Sequence, residues 1–427
     1  MTITKTFGLQ QPDAIKAKVL NWLQQFNTFC FLDSNLYELR EKTHEVLIGA
    51  GVKRKFESSE TNALKGLQQF INQRDSWLFG HLSYDLQTSG HFKPAKRKDK
   101  LGFADTLFFE PEIVLQLSNN EITIVAPEPD RVLSQIENAT ALYNEISEKD
   151  ISIQSKIGRD EYISIIRQLQ KHIHRGDCYE INFCQEFFAA DASVNPFELF
   201  DDLNAVSPNP FSALYRLEDK WLICASPERF LRKEGNKIIS QPIKGTLSRT
   251  TKNEKDLLFE QQKLYNSPKE KAENVMIVDL VRNDLSRVCK QGTVKADELF
   301  GIYSFPQVHQ MISTVSGELT DEANFASIIN ATFPMGSMTG APKIRVMQLI
   351  DQYEKSHRGI FSGTVGYMNP SGDFDFNVVI RSLMYNHSTK YLSFQAGSGI
   401  TIYSDAEKEW EECLVKAKAI KEILNVE

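Results

Sequence analysis

Residues Gly359 to Gly399 read GIFSGTVGYMNPSGDFDFNVVIRSLMYNHSTKYLSFQAGSG, and this stretch indicates the fold class. Three runs rich in β-branched and aromatic residues alternate in it with two turn-forming segments, NPSGD and NHSTK. Connections this short join antiparallel strands, whereas parallel strands need a long crossover. We therefore predict an antiparallel meander, with Arg381 inside a strand that runs from Phe376 to Tyr385.

Helices are predicted on both sides of this meander. Upstream, the tetrapeptide SPKE at 267–270 combines a Ser N-cap, a Pro at the first helical position and a Glu three residues after the cap. The apolar run from Ala272 to Val288 continues that helix. Downstream, a capping box from Ser404 to Glu407 opens a last helix that ends near Leu424. The chain is therefore predicted to be α+β, with antiparallel β-sheets layered with helices.

The pattern changes near residue 150. Before it, helical stretches such as Asp13–Gln25 mix with strand-like runs, and the polar, basic stretch Thr88–Gly102 is predicted to be a solvated loop. Beyond it, a helical pattern extends from Gly158 to His174, and further strand-like runs follow. We divide the chain at this change into an N-terminal region, 1–150, and a second region, 151–427.

Composition and charge exclude several classes of protein. The 427 residues carry a formal charge of −7 with no basic block beyond residues 96–98, so no nucleic-acid surface is predicted. No apolar stretch reaches the roughly 18 residues of a membrane span, and the start lacks a signal-peptide core, so we expect a cytoplasmic protein that contacts no membrane. The six cysteines form no C-x-x-C pair and are predicted to be reduced core residues.

Two predicted helices carry paired glutamates. Glu270 and Glu273 lie three residues apart on one helix, and Glu409 and Glu412 on the last one, so each pair projects from one helical face. Converging carboxylates repel one another unless a hard cation neutralises them, and oxygen-only ligands suit Mg²⁺ better than zinc. The spacing alone leaves another interpretation open, in which both pairs are solvated acidic faces and Glu270 only caps its helix.

Two further side chains follow predicted strands. Lys244 lies in the turn Gln241–Thr246, where desolvation would lower its pKa and make it a nucleophile or a base. Glu228 follows an apolar strand in the segment SPERF, where burial would raise its pKa enough for general-acid work. The alternatives are a solvated lysine and a glutamate that pairs with Arg229 or Lys233.

Two glycine-rich segments offer backbone groups to an anion. The segment GSMTGAPK at 336–343 ends in Ala-Pro-Lys and not in the Gly-Lys-Ser/Thr of a nucleotide-binding loop, so we reject nucleotide binding. It is predicted to be a hydroxyl-rich turn before a helix, whose first amides can hold a carboxylate. The predicted turn Gly397–Gly399 offers the same kind of contact. Arg381 either ends in solvent or grips a carboxylate.

Taken in order, eight motifs resemble those of the chorismate-utilising enzymes: SPERF, PIKGT, AENVMIVDLVRND, GSMTGAPK, GTVGYM, NVVIRSL, QAGSGI and the last E-x-x-E helix. The resemblance is strong over residues 156–423 and looser over the first 150. This family includes component I of anthranilate synthase and of aminodeoxychorismate synthase, together with isochorismate and salicylate synthases. It implies an anthranilate synthase component I-like fold, a component I-type N-terminal region over 1–150 and a chorismate-binding catalytic region over 151–427.

The resemblance also implies a Mg²⁺ site and a set of substrate contacts. The metal ligands fall on Glu273 and Glu412, while Glu270 and Glu409 hold metal-bound water. The metal would grip the ring carboxylate of chorismate, and the enolpyruvyl carboxylate would lie against an arginine, a lysine and glycine backbone. The residues implied for substrate binding are Arg381, Lys416, Ser337, Gly397, Gly399, Thr246, Gln310 and Phe361.

The reaction implied by the resemblance depends on Lys244. Relatives that make anthranilate carry PIAGT where this chain has PIKGT, whose lysine attacks C2 of the ring while Glu228 protonates the departing 4-hydroxyl. Ammonia then attacks C4 and expels the lysine, giving 4-amino-4-deoxychorismate, the precursor of para-aminobenzoate and folate. The ammonia would come from a separate glutamine amidotransferase subunit, because no glutaminase motif is recognisable in this chain.

Two positions depart from the family pattern. Gln310 occupies the place of a histidine that anthranilate synthases use in eliminating pyruvate, and His309 points to the opposite strand face. Its absence agrees with an enzyme that retains the enolpyruvyl group. Phe361 stands where relatives usually have tyrosine, which removes a hydroxyl from the substrate pocket.

Three rival functions stay open at this point. Anthranilate synthase component I is disfavoured by Lys244 and Gln310. An isochorismate or salicylate synthase would use water and need no amidotransferase. A catalytically silent subunit would bind an aromatic amino acid or a partner, but the complete set of acidic side chains argues against silence.

Overall fold

The computed structural model describes residues 2–9, 12–35, 37, 45–86, 99–118, 120–140, 151–251 and 253–424. Within these residues the chain forms 22 strands and ten α-helices. The strands are β1 Ile3–Gly8, β2 Thr28–Asp33, β3 Val46–Ala50, β4 Arg54–Ser58, β5 Leu78–Leu82, β6 Thr106–Glu110, β7 Ile113–Ser118, β8 Glu121–Ala126, β9 Gln154–Ser155, β10 Glu180–Ala189, β11 Phe211–Leu217, β12 Lys220–Ser226, β13 Arg229–Glu234, β14 Lys237–Gln241, β15 Ile243–Ser248, β16 Lys295–Ser304, β17 Val308–Glu318, β18 Gly340–Ala341, β19 Thr364–Met368, β20 Phe374–Asn377, β21 Ser382–Asn386 and β22 Tyr391–Ile400. The helices are α1 Pro12–Leu23, α2 Ala63–Asn72, α3 Pro129–Glu137, α4 Arg159–His174, α5 Pro196–Val206, α6 Glu254–Tyr265, α7 Pro268–Ser286, α8 Phe325–Thr332, α9 Lys343–Tyr353 and α10 Ala406–Ile423.

The strands form two antiparallel sheets. The large sheet has the order β1-β8-β7-β3-β2-β11-β12-β21-β22-β10-β18, with β9 paired to β10. The second sheet has the order β15-β17-β14-β13-β20-β19-β5-β6-β4, with β16 paired to β17. The predicted α+β class is confirmed.

Two hydrophobic cores hold these layers together. Successive residues of β2 point to opposite faces of the large sheet, so Phe29 and Phe31 belong to one core and Cys30 to the other. The first core also takes apolar residues of α1, α4, α5 and α10, and the second takes strands of both sheets with α2, α7 and α8. The large sheet is therefore covered by helices on one face and by the second sheet on the other.

The segment that predicts the meander divides between the two sheets. Its strands β19 and β20 pair in the second sheet, and β21 and β22 pair in the large one. The prediction of one strand from Phe376 to Tyr385 is wrong, because the chain crosses from sheet to sheet between Asn377 and Ser382. Arg381 lies in this crossing with φ of 49°, a left-handed conformation outside the range of regular strands.

The helix ends follow the predicted pattern with one exception. The Ser267 hydroxyl accepts a hydrogen bond from the Glu270 amide at the start of α7, as predicted. At the start of α10 the cap is Asp405, whose carboxylate accepts from the amides of Glu407 and Lys408. Ser404 is not that cap, since its hydroxyl accepts from the Thr401 amide.

Strands from both sides of residue 150 share each sheet. Residues 3–126 contribute β1, β2, β3, β7 and β8 to the large sheet and β4, β5 and β6 to the second one. Most of the predicted loop at 88–102 lies outside the described residues. All six cysteines are buried and unpaired, which confirms the prediction for them. In the described ranges, no helix is both long and apolar enough to cross a membrane.

Candidate active site

Lys244 lies inside β15 and not in a turn, which corrects the prediction. The strand pairs with β17 through Ile243 and Ile312 and again through Thr246 and Gln310, with a register shift between the two pairs. Residues 244 and 245 occupy this irregularity, where a bulge re-aims side chains. Gly245 has φ of 101°, a conformation open to glycine.

The Lys244 ammonium forms an ion pair with the Glu180 carboxylate at the start of β10. Burial alone would lower the pKa of Lys244, but Glu180, Glu273 and Glu412 act against it and raise the pKa above its ordinary value. The prediction of a lowered pKa is therefore wrong for this lysine. At rest it is a buried cation surrounded by carboxylates.

Glu228 immediately precedes β13 and is buried, with 4% of its surface exposed. Burial raises its pKa to about 7, although the Ser337 hydroxyl, the backbone at Ile243 and the Lys244 ammonium favour the charged form. The predicted burial and the predicted rise in pKa are confirmed, whereas the role of Glu228 as a general acid stays a prediction.

The predicted alternative, in which Glu228 pairs with a neighbouring cation, is wrong. Arg229 pairs with Asp375 and Lys233 pairs with Asp373. Glu228 and Ser337 instead line one small cavity between β13, α7 and the segment that precedes α9.

Three of the four glutamates, Glu270 and Glu273 of α7 and Glu412 of α10, interact electrostatically with Lys244. The fourth, Glu409, is buried on α10. The Ser398 hydroxyl donates to the Glu409 carboxylate. Glu412 pairs with Lys416 at 2.8 Å, and a Glu273 oxygen lies 3.8 Å from the Lys269 Nζ. The carboxylate of Glu270 lies against Gly245, since a Cβ on that glycine would stand 3.1 Å from its Oε2.

Their pKa values show that these carboxylates interact. Burial raises the pKa of Glu273 to about 7, and Glu180 and Glu270 add repulsion. Burial and Glu412 also raise the pKa of Glu270. Burial works in the same direction on Glu412, but Lys416 outweighs it and lowers that pKa.

The carboxylates of α7 and α10 are the candidate donors for a metal ion. Across the described part of the chain, no three acidic, histidine or cysteine side chains stand close enough together to hold one ion. The candidate donors on α7 and α10 are nevertheless all carboxylate oxygens. A divalent cation would remove the repulsion that Glu273 receives from Glu180 and Glu270. The residues present therefore fit a hard cation such as Mg²⁺ better than a soft one.

The predicted turn Gly397–Gly399 is part of β22. Lys416 Nζ donates to the Gly397 carbonyl at 3.0 Å, which brings two predicted substrate-binding residues together. A Cβ on Gly397 would collide with the Phe183 carbonyl of β10, so the glycine permits close strand contact and not a turn.

Arg381 is held between β12 and the start of β21. Its carbonyl accepts a hydrogen bond from the Ala225 amide. Burial lowers the pKa of its guanidinium to about 10, with partial compensation from Tyr37. No carboxylate pairs with it among the residues that the structure describes, so its guanidinium stays available to a bound anion.

The other predicted substrate-binding residues differ in exposure. Gln310 and Ser337 are buried; Gln310 Oε1 has no hydrogen-bond partner within the described residues, whereas the Ser337 hydroxyl acts on Glu228. Phe361 is buried in the second core, whereas Thr246 is exposed on β15. An unpartnered buried oxygen is costly in a folded protein, which makes Gln310 a candidate for a ligand contact.

His309 and Lys343 have structural partners elsewhere. His309 contacts Ser304 and Glu260, so it does not replace the residue expected at position 310. Lys343, the last residue of GSMTGAPK, pairs with Asp284 of α7 at 2.5 Å. That segment forms a short 3₁₀ turn at Gly336–Met338 before α9, as the prediction of a turn and helix requires.

Sequence reasoning missed Glu180. The signal was a single acidic residue at the start of the run EINFCQEFFA, which otherwise indicates a buried strand. A carboxylate that is 2% exposed needs a cation, and Lys244 supplies it.

Comparison with known proteins identifies the family. The chorismate binding enzyme family matches residues 31–422. Aminodeoxychorismate synthase component 1 of Klebsiella aerogenes is 36% identical over 344 residues, which make up 80% of this chain and 75% of that protein. The protein of the same name from Escherichia coli (strain K12) is 40% identical over 267 residues, 62% of this chain and 58% of that protein.

A solved structure shows the same fold. Anthranilate synthase component I from Streptococcus pneumoniae TIGR4 matches with a TM-score of 0.76 and 22% identity, over 91% of this chain and 94% of that one. The predicted anthranilate synthase component I-like fold is confirmed. With a family match over most of its length and a relative aligned over three quarters of that relative, this chain belongs to the chorismate binding enzymes.

Proposed function

We propose that this chain converts chorismate and ammonia into 4-amino-4-deoxychorismate, for para-aminobenzoate and folate synthesis. The observation that carries the proposal is the buried amine of Lys244, which lies among carboxylates and close enough to Glu228 to affect its pKa. An amine and a carboxyl group with a pKa of about 7 supply the nucleophile and the acid that the reaction needs. The names of the two relatives support the same reaction.

The covalent step starts from the neutral amine, so the Lys244 ammonium first releases its proton to water. The amine then bonds to C2 of the ring as the C4–O bond breaks, and the hydroxyl leaves as water with the Glu228 proton. Ammonia bonds to C4, the ring double bonds return and the bond between C2 and Lys244 breaks. The new ammonium group returns a proton to Glu228, and the departing Lys244 amine takes a proton back from water, which completes the cycle.

Chorismate carries two carboxylates, and the site offers a separate group of residues to each. Arg381, Lys416 and the backbone at Gly397 and Gly399 would bind the enolpyruvyl carboxylate, while Ser337 would lie beside the ring carboxylate. Lys416 already donates to the Gly397 carbonyl, so it can turn to an anion without unfolding its helix. Gln310, Thr246 and Phe361 would complete the pocket.

We assign Mg²⁺ as the cofactor. Glu273 and Glu412 would hold it, with Glu270 and Glu409 binding its water. When bound, Mg²⁺ would supply positive charge against the ring carboxylate and relieve the repulsion among the glutamates. The ion pairs from Lys269 and Lys416 to these glutamates involve half-exposed lysines that can move aside.

A partner subunit would supply the ammonia by hydrolysing glutamine. The relatives are named component 1, which agrees with a second, glutamine-using component. We therefore propose a glutamine amidotransferase as the partner of this chain.

One assay separates the proposed reaction from its rivals. Purified protein is mixed with chorismate, Mg²⁺ and an ammonium salt, and the products are followed by fluorescence and mass. We expect a nitrogen-containing product that yields para-aminobenzoate only after a lyase is added. Direct anthranilate fluorescence would support anthranilate synthase, and a nitrogen-free isomer of chorismate would support isochorismate synthase.

A further inference from the structure

The ion pair between Glu180 and Lys244 joins the large sheet to the second sheet at the site. Glu180 begins β10 in the large sheet, and Lys244 lies in β15 at the edge of the second sheet. The two side chains are 2% and 13% exposed. Glu180 Oε2 has no hydrogen-bond partner among the described residues, so one carboxylate oxygen is committed to the lysine and the other is not.

Gly399 has no side chain, and the ion pair between Glu180 and Lys244 occupies the space that a side chain there would fill. It is the partner of Asn182 across β22 and β10, next to the start of β10. A Cβ on Gly399 would collide with the Lys244 Nζ and stand 2.7 Å from Glu180 Oε1. The lysine head therefore rests against the backbone of β22, the strand that also presents the Gly397 carbonyl to Lys416.

Glu180 differs from every other carboxylate around Lys244. The acidic groups that act on this lysine, or on which it acts, come from several elements: Glu180 of β10, Glu228 before β13, Glu270 and Glu273 of α7 and Glu412 of α10. Among the ion pairs of the described residues, the lysine forms one only with Glu180. Lys269 and Lys416 pair with the α7 and α10 carboxylates instead.

We infer that Glu180 is the positioning residue for Lys244, holding its Nζ in the space left by Gly399 so that the amine faces the ring of the substrate. This inference rests on the proposed function. A lysine side chain has four rotatable bonds, so an unrestrained amine would rarely occupy the one position from which it can react. Displacing a reacting group by about 1 Å can cost about 100-fold in rate, so the hold on Nζ matters for turnover.

The test compares Glu180→Gln with Glu186→Gln. Glutamine keeps the size of the side chain but removes the charge that holds the ammonium. Glu186 lies on the same strand and is also buried. Its carboxylate accepts from Ser356, Tyr391 and Ser393, and among the described residues it forms no ion pair with a lysine. Initial rates are measured across pH at a fixed concentration of free ammonia. kcat is compared on the plateau between the two limbs of each profile, after division by the fraction of neutral Lys244 that the amine labelling below provides.

For Glu180→Gln we expect plateau kcat to fall by about tenfold or more while KM for chorismate changes less than about threefold. We also expect the alkaline limb of the profile to move at least about one pH unit lower, because a carboxylate that favours the ammonium is gone. Glu186→Gln should show neither change. An unmoved limb, an unchanged plateau, or the same changes in Glu186→Gln would overturn the inference.

A second readout needs no turnover. Cyanate carbamoylates neutral amines, so peptide mass spectrometry across pH gives the pH at which Lys244 is half-labelled. We expect that pH to fall in Glu180→Gln and to stay constant in Glu186→Gln; equal profiles in both variants would overturn the pairing. If the unsubstituted protein makes no aminodeoxychorismate while the labelling shift appears, the proposed function fails and the hold of Glu180 on Lys244 stands.

Discussion

Burial and neighbouring carboxylates have opposite effects on the pKa of Lys244. Burial disfavours its charge, whereas Glu180, Glu273 and Glu412 favour it, and the carboxylates prevail. The amine must therefore lose a proton before it can attack. A bound cation at Glu273 and Glu412 would cancel part of this stabilisation, and this would bring the lysine closer to its reactive form.

The first prediction at this scale is that Lys244→Arg loses aminodeoxychorismate formation by about 100-fold or more, because a guanidinium stays protonated and cannot act as an amine. Product is measured with the lyase-coupled assay. Protein quenched during turnover should carry a chorismate-derived mass on Lys244 in the unsubstituted chain only.

Lys343→Arg is the matched control for that prediction. Lys343 is also a poorly exposed lysine in an ion pair, here with Asp284, and it lies outside the proposed chemistry. We expect it to keep most of the activity. An active Lys244→Arg variant, together with no adduct on the unsubstituted chain, would exclude the covalent mechanism but not the family.

A second prediction at the residue scale concerns His81, which is fully buried in β5. Its Nε2–H donates to the Ala104 carbonyl and its Nδ1 accepts from the Tyr215 hydroxyl, so the ring is held neutral. Burial lowers its pKa to about 4 from an ordinary 6.5. The unfolded chain binds the proton more readily, so this contribution to stability is present above pH 6.5 and is lost as the pH falls towards 4.

We expect His81 to account for about 2 kcal/mol of the unfolding free energy lost between pH 7 and pH 5, as a pKa difference of this size implies. Urea unfolding at the two pH values gives the loss for the unsubstituted chain, His81→Gln and His174→Gln. His174 is exposed at the end of α4 and serves as the control. The loss should shrink in His81→Gln alone; an equal loss in all three proteins would contradict the prediction.

At the scale of elements, the sequence predicts helices better than strands. The sequence shows α7 through its Ser267 cap and α4 through its helical periodicity, because both signals are local. The strand predicted from Phe376 to Tyr385 is wrong because the chain crosses between the sheets inside it, and no local pattern marks such a crossing. The glycines of β22 predict a turn, but in the structure they allow β10 to pack closely against β22.

The site contains features that a local sequence pattern encodes and others that it does not. Glu228 was recognised with its raised pKa, because an apolar strand before a lone glutamate implies burial. The family resemblance assigns Lys416 and Gly397 to the same substrate carboxylate, but the hydrogen bond between them is visible only in the structure. The pairing of Glu180 with Lys244 joins residues 64 positions apart in different sheets, and no local pattern encodes such a contact.

The prediction at the element scale concerns the acidic faces of α7 and α10. We expect Glu273→Ala and Glu412→Ala each to lower kcat by more than about 100-fold and to weaken Mg²⁺ binding, since either change removes a proposed ligand. Thermal unfolding should change little, because removing one carboxylate reduces the repulsion in the metal-free protein. Calorimetric titration with Mg²⁺ and the coupled assay measure the two effects.

Glu411→Ala is the control for these variants. Glu411 is exposed on α10 next to Glu412, so it tests the loss of one acidic group from the same helix. It should leave both Mg²⁺ affinity and turnover close to their original values. Near-native turnover of Glu273→Ala and Glu412→Ala at low Mg²⁺ would show that the proposed metal site is wrong.

At the scale of the whole molecule, both sheets contribute residues to the site. The second region of the chain supplies the side chains around Lys244, from β10, β15, β22, α7 and α10. Residues 3–126 complete the sheets on which these elements rest, with five strands in the large sheet and three in the second. The geometry of the site therefore depends on the first region even though that region supplies none of the proposed catalytic groups.

The environment of the six cysteines bears on the source of ammonia. Hydrolysis of glutamine needs a cysteine thiolate activated by its surroundings. All six cysteines here are buried and free, and burial raises the pKa of each thiol, to about 11 for Cys178, Cys224, Cys289 and Cys413 and about 12 for Cys184. Buried thiols of this kind are inert, so the chain holds no glutaminase nucleophile.

The purified single chain should accordingly use free ammonia and not glutamine. Its rate with an ammonium salt should rise with pH as the fraction of NH₃ rises, whereas glutamine at any pH should give only background. Adding a glutamine amidotransferase subunit should create glutamine-dependent turnover, and inactivating the cysteine of that subunit should abolish it while the ammonia-dependent rate remains. Product formed from glutamine by the single chain, at a rate comparable with its ammonia-dependent rate, would contradict both the partner and the assignment of the six cysteines.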